Sequence, residues 1–303
     1  MTLRTLALAM QEGAEELHPP EPAGEFDLGE MLIDHVSDHP YLEIGSWHVN
    51  LPVWEPVQLG GMTIDFSPSA MVVFMVLAGV LSLAIFLTVG ARARRASPSE
   101  APTGLANAAE AMVVFFRDEV VRANIGKHGD AFTPFILTIF VFILFMNLIG
   151  LVPFGLPPSA SLSVTAALAF LAFLAIEVSG FRKLGPAGYA KTIFFAPEGL
   201  PPIGKALMLL IMTPIEAMGK LAKPFALAIR LFANMLAGKV LILALLGLIF
   251  VFADLILGRW GIAGGAVSLA AAITLLKVFI ALLQAFIFSM LTAVFIGMMQ
   301  HAH

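Results

Sequence analysis

The sequence predicts an all-α integral membrane protein with five transmembrane helices and one amphipathic surface helix, the last two spans long and tilted. Three observations lead there. The chain is 59% hydrophobic and only 13% charged, with a mean hydropathy of +0.93, whereas soluble domains are about 45–50% apolar and about 25% charged. Apolar stretches recur at lengths near the roughly 20 residues that cross a bilayer core. Arginines and lysines cluster in two connecting segments, as cytoplasmic loops require.

Residues 1–69 hold twelve acidic residues against one basic residue, Arg4, together with four of the seven histidines. They read as an acidic extracytoplasmic extension with a short strand around Trp47–Val57, ahead of a membrane domain over 70–303. The first ten residues loosely resemble the end of a signal peptide, but their apolar part is too short, so they are taken as mature chain. Asp34-His35-Val36-Ser37-Asp38-His39 has metal-ligating side chains, and a hydrated segment accounts for it more simply.

The first span is Met71–Gly90. Arg92, Arg94 and Arg95 follow it, then Arg117, Arg122 and Lys127, which puts the 91–130 loop in the cytoplasm and the N-terminus outside. Within the loop, Gly104–Asn124 alternates Leu105, Ala108, Met112, Phe115 and Phe116 with Glu110, Arg117, Asp118 and Arg122. This is the pattern of a helix on the membrane surface or, equally, of one packed on a partner. The second span is about Ala131–Pro153, and the uncharged turn Pro153–Ala160 returns the chain to the third, about Leu162–Ser179. A second basic loop carries Arg182, Lys183, Lys191 and Lys205.

Residues 206–253 are too long for one ordinary span. The charged patch Glu216, Lys220, Lys223, with Pro214 and Pro224, is expected to break the stretch near its start. One long tilted helix is preferred to two spans, because 206–224 is too charged to cross alone and tilt absorbs excess length. It places the C-terminus in the cytoplasm. Gly258–Gly265 is expected to turn, and Ala266–Met299 to form the last helix, its start rich in small residues that permit close approach.

Function classes fall away quickly. The chain contains no cysteine, hence no disulfide or thiolate chemistry. It has no HExxH spacing, Walker-type loop, GxGxxG or GxSxG, so no metal, cofactor or nucleotide site is expected and the chain is not an enzyme on its own. Basic residues are too scattered for nucleic acid.

What remains is a set of polar residues inside apolar helices. Arg230 stands in Ala226-Leu-Ala-Ile-Arg230-Leu-Phe-Ala-Asn234-Met235. Its charge is permanent and costs roughly 2.5–3.5 kcal/mol at membrane depth. Asn234, four residues on, shares its face. Glu216 lies roughly 21 Å toward the cytoplasm and Lys239 roughly 13–14 Å outward. On the last helix, Lys277 and Gln284 share a face about 10–11 Å apart in depth; antiparallel packing would bring Gln284 near Arg230 and Lys277 near Lys239. A bland reading stands beside each. Asn234 and Gln284 could be interhelical hydrogen-bonders, Lys239 and Lys277 could snorkel to the outer interface, and Glu216, Lys220 and Lys223 could be a solvated helix start. For Arg230 it is a buried ion pair, whose partner would have to come from another chain.

Pro224-Phe-Ala-Leu-Ala-Ile-Arg230-Leu-Phe-Ala-Asn234-Met-Leu-Ala-Gly238, followed by Leu283-Gln284-Ala-Phe-Ile-Phe288, strongly resembles the subunit a family of F-type ATP synthases. Met146-Asn147-Leu-Ile-Gly-Leu-Val-Pro153, Ser163–Leu168 and Gly185-Pro-Ala-Gly-Tyr189 support it, and the resemblance runs in order over about residues 70–300. It implies a proton-channel stator of the rotary motor, in a bacterial plasma membrane, partnered by the c-subunit ring, the b-subunit peripheral stalk and the rest of the synthase. It further implies that Arg230 faces the carboxylate of each passing c-subunit, favours its ionised form and blocks leakage between two aqueous half-channels. By the same resemblance Asn234 and Gln284 contribute polar contacts around the arginine, and Glu216 serves proton passage on the cytoplasmic side. At the positions of Lys239 and Lys277 the family usually has Glu or His lining the outer half-channel. Two ammonium groups close together disfavour each other's charged form, so one lysine is expected to be neutral part of the time and to relay protons. A secondary transporter and a non-transporting scaffold are the rival readings; the first would show repeats and broken helices at matching positions, and neither is evident.

Overall fold

The computed structural model describes residues 29, 38–44, 47–59, 62–65, 67–95, 104–152, 155–194, 201–251 and 259–300. Two antiparallel hairpins come first: β1 (Tyr41–Ile44) with β2 (Trp47–Asn50), and β3 (Val57–Leu59) with β4 (Met62–Ile64). The expected strand around Trp47–Val57 is thus two pieces of two hairpins, with residues 51–56 outside any ladder. The segment is tied to the membrane domain at the start of α1 (Ala70–Arg95). There the Ala70 amide donates to the His39 carbonyl (3.0 Å) and the Met71 amide to the Asp38 carboxylate (3.2 Å). A carboxylate at this end satisfies an orphan donor and complements the helix dipole. The His39 ring stacks on Tyr41 at 4.9 Å, while Asp34–Ser37 and the signal-like first residues lie outside the described residues.

The surface segment is α2 (Leu105–Phe115), running into a π-helical turn (Phe116–Arg122) and the short α3 (Ala123–Ile125). Its second half docks on the bundle. Phe116 is fully buried and packs on Phe140 and Phe286, so that half is packed on the chain's own helices. Gly126, at φ 91°, ends the segment in a backbone region that only glycine enters freely. Arg122 then grips Asp130 through two bonds of 2.7 and 2.6 Å and reaches Asp118 at 2.8 Å, closing the turn before α4 (Thr133–Ile149).

The third span is longer than expected. α5 (Leu162–Lys191) runs past Ser179, with Arg182 and Lys183 on the helix rather than in a loop, and kinks at Gly185 (φ 68°, ψ 174°) ahead of Pro186. Glycine tolerates that φ and proline cannot continue the preceding hydrogen bonds, so the chain folds back over its last turn. α6 (Pro202–Val251) is a single 50-residue helix and α7 (Arg259–Gln300) has 42 residues. The expected break near 214–224 does not occur. Pro214 and Pro224 withhold amides from the carbonyls of Leu210 and Lys220, but a helix otherwise satisfied continues through both. Likewise residues 259–265 are helical, not a turn. At 1.5 Å per residue α6 is about 75 Å long, more than twice the roughly 30 Å hydrocarbon core, so it inclines or projects beyond it.

Among the described residues, five helices are long and apolar enough to cross a membrane. α7 is the hub, packed against α4, α5 and α6, with α1 lying outside α4. The core between them holds Ile136, Ile143, Met146, Leu231, Phe288 and Ile296. Asn147, fully buried, accepts from the Ser159 hydroxyl (2.7 Å) and donates to the Ala281 carbonyl (3.4 Å), pinning α4 and the 153–160 turn to α7 one helical turn from Gln284.

Candidate ion-translocation site

Two contacts set the register of the antiparallel pair α6 and α7. Near one end, the Lys277 side chain lies across Gly238, so close that a Cβ there would meet its Cε at 2.7 Å and Nζ at 3.2 Å. Toward the other, the Lys223 ammonium sits 5.1 Å from the centre of the Phe295 ring. Interpolation between them puts Gln284 at the depth of residues 230–234. The six polar residues expected to act together are therefore arranged along one helix pair, but they face different ways.

Gln284 and Lys277 point inward, 6% and 7% exposed. Asn234 and Lys239 are half-buried, and Arg230 is exposed. No hydrogen bond joins Gln284 to Arg230. Instead Arg230 lines a cleft of about 240 Å³ with Ala222, Lys223, Ala226, Leu227, Leu291 and Phe295. Along the same helical face Ala226, Ala233, Ala237 and Leu241 are exposed and apolar. Among the described residues no carboxylate lies within 4 Å of its guanidinium. A permanent charge on such a face is costly to leave against lipid.

Lys277 lies against Gly238 and therefore beside Lys239, which pairs the two lysines on one side of Arg230's depth. On the other side a larger cavity of about 380 Å³ opens between α5, α6 and α7, lined in part by Glu177, Glu216, Lys220 and Lys223. Glu216 is exposed at its wall. Lys220 is not a solvated side chain. Its ammonium lies 3.6 Å from the Glu177 carboxylate and 2.9 Å from the Thr192 hydroxyl, over the Tyr189 ring at 4.5 Å. The Tyr189 hydroxyl donates to Glu177. On a straight helix residues twelve apart stand about 18 Å apart; the Gly185 kink is what lets Tyr189 reach back.

Glu177 was not among the residues singled out from the sequence. The signal was present, since Ala175-Ile176-Glu177-Val178 is a lone carboxylate in an apolar span, and such a residue is a functional candidate by default.

The helices and this charge set define the class: a multi-pass α-helical membrane protein whose intramembrane charges face a polar cavity on one side and an unpartnered apolar surface on the other. Comparison narrows it further. The family model described as ATP synthase A chain matches residues 72–297. The chain belongs to that family. It is 40% identical to ATP synthase subunit a of Anaeromyxobacter dehalogenans strain 2CP-C, over 96% of this chain and 75% of that protein. It is 42% identical to ATP synthase subunit a of Chloroherpeton thalassium (82% and 70%) and 42% to that of Myxococcus xanthus (88% and 92%).

Proposed function

We propose that this chain is the proton-translocating stator subunit of the Fo sector of a rotary ATP synthase, presenting Arg230 to the carboxylates of a c-subunit ring. The observation that carries the reading is the exposure of Arg230 on an apolar face with no carboxylate within 4 Å of it among the described residues. A ring carboxyl arriving there releases its proton, because its ionised form pairs with a guanidinium that cannot itself give up a proton. The proton passes to water in the Glu216 cavity on the cytoplasmic side, and the carboxylate moves on with the ring. Asn234, at the arginine's depth, and Gln284, buried behind it, orient the polar surroundings. On the outer side Lys239 and Lys277 line the entry and relay protons, and their positive charge disfavours sodium.

The partners are the c-ring, the b-subunit peripheral stalk and the remaining synthase subunits, in a bacterial plasma membrane with the N-terminus outside and the C-terminus in the cytoplasm. Residues 1–69 form a separate extracytoplasmic extension. In inverted vesicles with the complex assembled normally, Arg230→Ala abolishes ATP-driven proton pumping. A variant that assembled and still pumped would sink the reading in favour of a scaffold.

A further inference from the structure

The two cavities beside α6 share two lining residues, Lys223 and Phe295. From the geometry we propose that the Lys223 ammonium, seated on the Phe295 ring, is a closure between the cytoplasmic cavity and the Arg230 cleft. The proposal rests on the stator reading for its purpose, though not for its geometry. Lys220 and Lys223 are three residues apart on α6 and are used differently. Lys220 is drawn to α5 by Glu177, Thr192 and Tyr189. Lys223 turns to α7, has no carboxylate within 4 Å among the described residues, and meets only an aromatic face. A cation held over a ring in a poorly solvated crevice is a stable resting position.

Such a closure has two parts. The ring blocks the width of the passage, and the ammonium repels hydrated cations that come up the Glu216 cavity. A proton leaving a ring carboxylate must pass this point on its way to the cytoplasm, whereas a sodium or potassium ion from the cytoplasm is held back. The closure thus assigns Lys223 and Phe295 a positioning and selectivity role distinct from that of Arg230.

The absence of cysteine from the chain makes a labelling test direct. In assembled enzyme in inverted vesicles, where the partner covers the outer face of the cleft, single cysteines are placed at Gly219 in the cavity and at Ala226 in the cleft. Both are treated with trimethylammonioethyl methanethiosulfonate, a membrane-impermeant cation. Gly219→Cys reacts readily and Ala226→Cys slowly. Adding Phe295→Leu or Lys223→Gln speeds Ala226→Cys by about tenfold, the factor that loss of a partly desolvated cation–π contact corresponds to, and leaves Gly219→Cys unchanged. Phe295→Leu keeps apolar bulk and Lys223→Gln leaves the ring intact, so one tests the closure if the other fails to assemble. Equal reactivity at the two positions in the parent, or no acceleration in either variant, overturns it. Labelling needs no turnover: an Arg230→Ala enzyme that still pumped would remove the stator reading, while uniform labelling would remove the closure alone.

Discussion

The packing of α7 against the surface segment makes a sharp prediction at Gly297. A Cβ added there would lie 2.0 Å from the Asn124 carbonyl oxygen and 2.9 Å from its carbon. The obstacle is backbone, not the tip of a flexible side chain, so the two segments must part by about 1 Å, and overpacking of this kind costs about 1–3 kcal/mol. Asn124 cannot give way freely, because its side-chain amide donates to the Val120 carbonyl at 2.6 Å inside the π-helical turn. Against this, alanine improves helix propensity by about 1 kcal/mol over glycine. The balance for Gly297→Ala is a net loss of about 2 kcal/mol at the upper end of the overpacking range. Gly264→Ala supplies the control. It is exposed in the same helix with nothing within 4 Å of the added carbon, so it keeps only the propensity gain, about 0.5–1 kcal/mol. Midpoints of SDS-driven unfolding in mixed micelles should therefore move in opposite directions for the same chemical change. A Gly297→Ala chain as stable as the parent would refute the close approach of α7 to the surface segment.

Two more expectations concern charges. The Asp118 carboxyl is held below the usual carboxylate range, chiefly by its hydrogen bonds from Arg117 and then by the charges of Arg117 and Arg122. A depressed folded-state value stabilises above the unfolded value and is lost as pH falls through the folded one. Hydrogen exchange over residues 116–125 should accordingly rise below about pH 4, and an Asp118→Asn chain should show a smaller step, the Arg122–Asp130 pair being the part that remains. At the other end of the site, replacing both Lys239 and Lys277 by alanine should slow ATP-driven pumping in assembled enzyme; unchanged pumping would end the proposed lysine relay.

Much of the membrane architecture was legible because the bilayer leaves few options. Backbone polar groups in hydrocarbon must be satisfied within the segment, so an apolar run of span length reads as a helix almost regardless of detail. The boundaries were less legible where a local rule competed with context. Pro214, Pro224 and the Glu216–Lys223 charges argued for a break, yet α6 continues, because the charges have a cavity to face and α5 to pair with. Gly258–Gly265 argued for a turn, and its described part is helix, because small residues suit a close-packed helix in lipid as well as they suit a turn. At the site, the spacing of Arg230 and Asn234 followed from helical rise, and the level of Gln284 from rise together with antiparallel packing. Glu177 did not emerge, because its partner Lys220 is 43 positions away in sequence and its neighbour Tyr189 reaches it only through the Gly185 kink.

The sequence by itself determined that an arginine with a permanent charge stands deep in an apolar helix with Asn234 and Lys239 beyond it, and that Lys277 and Gln284 follow on the next. Those facts depend only on residue type and on 1.5 Å of rise per residue. Which way each side chain faces was decided by tertiary structure alone. Packing α7 between α4, α5 and α6 buries Lys277 and Gln284, turns Lys223 onto Phe295, and leaves Arg230 on the uncovered side. Facing is a property of how several helices share a core, and no single helix carries that information.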